Sequence, residues 1–211
     1  MKRTPRVRDA EESRRKVWQA AAKVFAAKGF DGAKVDEIAA DAGVNKAMLY
    51  YHFEDKLALY HDVLLDQFAA VAAGTAAART LGGPPEAQLR GFVQALVNAA
   101  RDRPHFPAIW LREIADGGRH LNVEVFGRIR AILATLDAIL KDGSRDHGWR
   151  PIQPFMVQAG VAAPLMFILA TQGVRSTAGL TPGVPTDPDA LATHFTDMTL
   201  AMLSTPFGRR R

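Results

Sequence analysis

The period of the apolar residues is what most constrains how this chain folds. Val17, Ala21, Val24 and Phe25 recur at i, i+4, i+7 and i+8, which places them on one face of a helix, and the stripe stops at Gly29, a residue suited to a left-handed helix end. Val35, Ile38, Ala39 and Ala42 repeat the pattern up to Gly43. Asn45 and Asp55 are side chains that accept from the free N–H groups of a helix start, and they predict a third helix from Lys46 to about Phe53 and a fourth through Leu57, Tyr60, Leu64 and Phe68. Further periodic segments cover 86–101, 104–115, 122–141, 154–178 and 188–203, separated by ADGGRH, KDGSRDHGWRP and GLTPGVPTDP. In the last segment Leu191, Phe195, Met198 and Met202 form one stripe behind an Asp187–Pro188 start. No strand-like alternation of useful length interrupts this series, so the expected fold class is all-α.

At 211 residues the chain is long enough for one large domain or a small module joined to a larger one. It contains no cysteine, which excludes disulfide scaffolds, thiolate metal sites and cysteine nucleophiles. The start, MKRTPRVRDAEESRRK, has the charge of a leader but no apolar run behind it, so a cytoplasmic protein is expected. Up to Tyr60 there are 12 basic against 9 acidic residues, and seven of the eight lysines precede position 57. A basic N-terminal module on a more neutral body fits this distribution, as does a basic tail that is simply solvated.

The run FMVQAGVAAPLMFILATQGV, 155–174, carries no charge. Its two glutamines, threonine, proline and glycines argue against a membrane span. A helix apolar on all sides is also a helix enclosed by protein, and Ala159, Gly160, Ala162 and Ala163 would let another helix approach closely. Burial in a protein interface, with a kink at Pro164, is the expectation.

Residues 43–53 read GVNKAMLYYHF. A helix from Lys46 puts Leu49 and Phe53 on one face, with Val44 adding to it from the turn, and sets Lys46, Ala47, Tyr50 and Tyr51 on the other. Together with the second helix and the Gly43–Val44 turn this is the layout of a helix-turn-helix, whose second helix enters a major groove. Lys46 at the helix start can reach a base edge or a phosphate, and Ala47 lets the backbone come close or touches a thymine methyl. The hydroxyls of Tyr50 and Tyr51 can donate to phosphate oxygens. Lys56, in the first turn of the fourth helix, stands where backbone N–H groups already favour an anion.

The run KGFDGAKVDEIAADAGVNKAMLYYHFEDKLALYHDVL, 28–64, resembles the N-terminal domain of the tetracycline-repressor (TetR) family in its GF, its IA…AGV core, its LYYHF run and the following K-x-x-L. The resemblance is strong over about 13–70 and beyond that rests on length and helical content. It implies that Lys46, Ala47, Tyr50, Tyr51 and His52 face DNA and that Lys56 binds phosphate. Where the family commonly has hydroxyl residues at the start of the second helix, this chain has Ala33 and Lys34, so the hydroxyl cap is missing and Lys34 is left to replace a phosphate donor by charge. The expected organisation is a basic, disordered arm over 1–12, which would lie along phosphates or enter a minor groove, a three-helix DNA-binding domain over 13–58, a larger helical ligand-binding and dimerisation domain over 59–205, and a basic tail over 206–211.

By the same resemblance the chain is a homodimer paired through 154–178 and 188–203, a repressor on a palindromic operator in double-stranded DNA, and released by a small-molecule effector, with no cofactor. Phe106, Trp110 and Phe126 are nominated as pocket lining, with Glu113 or Arg130 as polar anchor, against the alternative that the aromatics are ordinary core. Glu113, Asp116 and His120 have a spacing open to metal ligation, but Gly117 and Gly118 interrupt the helix there and favour a solvated helix end. Signatures of common enzymes (H-E-x-x-H, G-x-S-x-G, a Walker loop, a dinucleotide fingerprint) are absent, and no catalytic role is expected. The competing class is a helical small-molecule-binding protein or enzyme without specific DNA binding.

Overall fold

The computed structural model describes residues 5–180, 183 and 187–204, with side chains from Asp9 onward. Among them there are ten helices and no strand: α1 Pro5–Gly32, α2 Val35–Asp41, α3 Lys46–His52, α4 Lys56–Thr80, α5 Pro85–Asp102, α6 Phe106–Ala115, α7 Val123–Asp146, α8 Pro154–Ala170, α9 Gln172–Thr177 and α10 Pro188–Ser204. The all-α class holds, and up to α8 the helices fall near where the apolar period and the Gly and Pro breaks put them. The basic tail at 206–211 lies outside the described residues, whereas residues 5–12, expected as a disordered arm, are the first turns of α1. Pro5 suits a first helical position, and a Lys16–Glu12 pair one turn apart at 2.9 Å ties the charged segment to the helix behind it.

Two compact units result. The first takes residues up to Asp66 together with His105–Val125, and the second takes Gln67–Pro104 together with the residues from Phe126 on. A boundary at 58 is therefore not where the packing divides, because α6 belongs with the N-terminal helices and α1 packs on it as well as on α2 and α3. The core of the first unit is the α1 stripe of Val17, Ala21, Val24 and Phe25 with Ile38, Leu49, Leu59, Tyr60 and Ile109. Helix α1 breaks at Gly29, whose φ of 70° takes the chain out of the helix as its sequence position suggests.

In the second unit α5 packs on α8 and α10, and α8 on α10, around Leu89, Phe92, Val161, Leu165 and Phe195. Two expectations change here. The helix predicted over 154–178 is two helices, and the break falls at Thr171 (φ −97°, ψ 6°) rather than at Pro164. Pro164 removes only the bond to the carbonyl of Gly160, which is exposed. At the break, Thr171 Oγ1 donates to the Phe167 carbonyl at 2.6 Å and the Arg175 guanidinium donates to the Ile168 carbonyl at 2.6 Å, so side chains satisfy the freed helix end. Helix α8 has a covered side of Val157, Val161, Leu165 and Met166 and an open side of Phe155, Met156 and Phe167. Finally, α10 buries Leu191, Phe195 and Leu203 with Thr196 and Thr199, leaving Met198 exposed. The threonines are hidden because each hydroxyl donates to the carbonyl one turn back, to Ala192 at 2.6 Å and to Phe195 at 2.7 Å.

Candidate nucleic-acid interface

The turn between α2 and α3 is set by Gly43, whose φ of 66° a residue with a side chain would resist. It lets Val44 N donate to the Ala39 carbonyl at 3.0 Å, which closes α2, while the Asn45 side chain accepts from Met48 N at 2.7 Å and opens α3. Leu49 and Phe53 are then driven inward, at 0% and 5% exposure. Tyr50 and Tyr51 emerge at 44% and 75%, flanked by exposed Lys46 and Ala47. Met48 also reaches the surface, which the two-face reading of the helix did not anticipate. Lys34, at the start of α2, is exposed and makes no side-chain cap, in keeping with the missing hydroxyl.

The lysines and the histidine separate into those turned outward and those used by the fold. Lys46 Nζ pairs with Asp36 on α2 at 2.9 Å, and the hydrogen bond and charge of that carboxylate hold the ammonium proton more firmly than usual. Lys56 points the other way. Its Nζ donates to the carbonyls of Phe30 at 2.9 Å and Ala33 at 3.1 Å and lies 4.3 Å from the centre of the Phe30 ring. Lys56 thus clasps the chain between α1 and α2. His52 is half-buried and held from α1, with its Nε2 hydrogen-bonded to Ser13 Oγ at 2.7 Å. It packs at the end of α3 and keeps part of its surface exposed.

Arg112 of α6 repeats the work of Lys56, donating to the carbonyls of Ala26 and Ala27 at 3.1 Å each. Beside it, Glu113 is 1% exposed and fully engaged. It accepts from Tyr60 Oη at 2.9 Å and from His120 N at 2.9 Å, and its Oε2 lies 3.0 Å from His120 Nδ1. Burial first, and then Glu113, raise the Tyr60 phenol far above its ordinary range. The solvated helix end expected for Glu113, Asp116 and His120 is overturned: Gly117 and Gly118, with φ of 81° and 70°, fold the chain back so that His120 meets Glu113, while Asp116 stays exposed. Among the described residues no group of three such side chains could hold a metal ion.

Of the nominated pocket residues, Phe106 is buried and stacks on Trp110 with ring centres 6.1 Å apart. Phe126 and Arg130 are exposed at the start of α7 and belong to the second unit, whereas Phe106, Trp110 and Glu113 belong to the first. Tyr60 and Arg112 are the residues of this site that sequence reasoning missed. Tyr60 was legible only as an apolar-stripe residue, and nothing in the sequence pairs it with Glu113.

An all-helical chain that presents a helix-turn-helix in this way is a DNA-binding regulator of transcription, and the comparisons say which kind. Residues 18–63 match the family described as bacterial regulatory proteins, tetR family. The chain is 31% identical over 154 residues to the HTH-type transcriptional activator FasR of Mycolicibacterium smegmatis, covering 72% of this chain and 68% of that protein. It is 30% identical over 137 residues to the HTH-type transcriptional repressor NicS of Pseudomonas putida, covering 61% of this chain and 65% of that protein. A tetR-family regulatory protein of known structure from Rhodococcus RHA1 has the same fold, with a TM-score of 0.70 at 20% identity over 92% of this chain and 98% of that one. The chain belongs to the TetR family. Among the described residues no helix is long and apolar enough to cross a membrane.

Proposed function

We propose that this regulator is a homodimeric repressor that reads a palindromic operator with α3 and leaves it when a small-molecule effector binds the C-terminal helices. The observation that carries the reading is the sorting of α3 into a buried Leu49–Phe53 face and an exposed face of Lys46, Ala47, Tyr50 and Tyr51. Lys46 and Ala47, at the start of α3, take the base edges. Tyr50, Tyr51 and Lys34 hold phosphates and fix the register. Residues 13–58 do the reading, with α6 attached to them, and 59–205 bind the effector and the second copy.

Dimerisation is supported by the open side of α8. Phe155, Met156 and Phe167 are exposed there, with Met198 exposed on α10, and water is a poor neighbour for a charge-free helix. The effector acts by preferring the dimer whose reading helices are misplaced for DNA, since a ligand indifferent to the two states shifts nothing. Phe126 and Arg130 stay candidates for meeting it. Phe106 is assigned to the core, and Glu113 already has partners for both oxygens. The protein is cytoplasmic and carries out no reaction.

The test is binding to a duplex that the protein itself selects from a random pool, read by fluorescence anisotropy against a random-sequence duplex. Lys46→Ala is expected to cost about 1–3 kcal/mol on the selected duplex and to relax one base position. Equal weak binding of both duplexes by the unaltered protein would favour the competing class, a helical small-molecule binder without specific DNA recognition.

A further inference from the structure

The helix next to the reading helix is acidic. Helix α2, VDEIAAD, sends each of its three carboxylates to a different lysine: Asp41 to Lys23 at 2.6 Å, Glu37 to Lys28 at 2.6 Å and Asp36 to Lys46 at 2.9 Å. The first two lysines come from α1. Only Asp36 engages the outward face of α3. Both members of its pair are open to water, with side-chain exposures of 52% for Lys46 and 75% for Asp36, so the contact adds little to folding. What it does change is the chemistry offered to a duplex. An isolated lysine neutralises a phosphate on any sequence, whereas a lysine–carboxylate pair has no net charge with which to do so, and the carboxylate itself is repelled by the backbone.

We infer that Asp36 is a specificity-determining residue, and that the Asp36–Lys46 pair reads a G·C base pair as a unit. In the major groove guanine presents the O6 and N7 acceptors, and its cytosine presents the N4 amino donor beside O6. A donor and an acceptor held 2.9 Å apart match that edge, with the Lys46 ammonium donating to guanine and the Asp36 carboxylate accepting from cytosine N4. Adenine also sets an acceptor, N7, beside a donor, N6, but both lie on one base at the side of the groove, and across the pair thymine O4 stands beside the C5 methyl where guanine has a second acceptor. On random sequence the pair stays closed and withholds Lys46 from phosphate; on the right G·C step each member trades its partner for a base atom. This rests on the proposal that α3 is the reading helix.

The test compares the full-length protein with Asp36→Asn on the selected duplex, on the same duplex with each G·C pair changed in turn to A·T, and on a random-sequence duplex, across a salt series. Circular dichroism confirms that the variant is folded, as an exposed asparagine allows. The unaltered protein is expected to lose about tenfold at one G·C position in each half-site, and Asp36→Asn to lose most of that preference. The variant should also bind random duplex more tightly, with a salt slope steeper by about one. In a Lys46→Gln background the same Asp36→Asn change should leave the slope as it was. A variant that keeps both the G·C preference and the slope overturns the role of Asp36 while leaving the reading helix intact, and a slope change that persists without Lys46 overturns the paired mechanism. An unaltered protein that binds neither duplex overturns the DNA reading itself, and this inference with it.

Discussion

Two regions of the N-terminal unit use the same residue type in opposite directions. On the outward face of α3, Lys46 holds its ammonium in water beside Asp36. At the end of α1, Lys56 and Arg112 turn theirs onto main-chain carbonyls, with the Tyr60–Glu113–His120 cluster packed in the same unit. A cation at the first place is worth little to the fold, because solvent screens it. A cation at the second satisfies acceptors that a helix end leaves without partners. Charge near a helix-turn-helix is therefore not by itself charge for DNA: stability and DNA affinity should separate by position, and substitutions can show whether they do.

The largest effect is expected from Glu113→Ala. It strands the Tyr60 hydroxyl, His120 N and His120 Nδ1 in a site where the carboxylate itself is 1% exposed, and should cost about 3 kcal/mol or more of unfolding free energy in a urea titration. A cost near zero would mean that water replaces the carboxylate and that the cluster is no anchor. Lys56→Ala comes next, at about 2 kcal/mol, for two hydrogen bonds and the ring contact with Phe30. The salt slope of DNA binding decides what Lys56 is for. It should stay the same in this variant, whereas a slope reduced by about one would return Lys56 to the phosphates. On the other side of the comparison, Tyr51→Phe should leave the urea midpoint where it was and weaken DNA binding by about 1 kcal/mol on any sequence, as the loss of a phosphate donor requires.

Apart from the break between α8 and α9, the helices were legible because they rest on local signals: the Asn45 and Asp55 caps, the Gly29 and Gly43 ends, and apolar residues at helical spacing. The outward face of α3 was legible for the same reason, since burying Leu49 and Phe53 fixes where Tyr50 and Tyr51 point. The sequence was silent where a side chain chooses between partners that only the tertiary fold supplies. Lys56 sits at the start of a helix whatever it binds, and the carbonyls of Phe30 and Ala33 reach it only once α1 has broken at Gly29. Gly117 and Gly118 read as an exposed end, yet their left-handed conformations are what return His120 to Glu113. The stripe of α10 was misplaced because a threonine that bonds its own helix behaves as an apolar residue, which composition does not reveal.

His52 gives the smallest effect and the finest division between the two regions, because it lies on α3 yet is held by α1. Burial, and then the positive charge of Arg14, keep its pKa below the ordinary 6.5. The Arg14 charge is itself fixed in place by a two-pronged contact with Asp62 at 2.9 Å. The sign follows from the folded pKa being the lower one. As pH falls through about 6.5 the unfolded chain takes up a proton before the folded chain does, so stability is whole above that value, declines below it, and levels off once the folded histidine also protonates. His52→Gln should flatten that part of the profile, measured as the difference between the two proteins in urea midpoint against pH. In DNA binding the same variant should match the unaltered protein across this range. If His52 faced phosphate instead, protonation would strengthen binding as pH falls, and the glutamine variant would lose that gain.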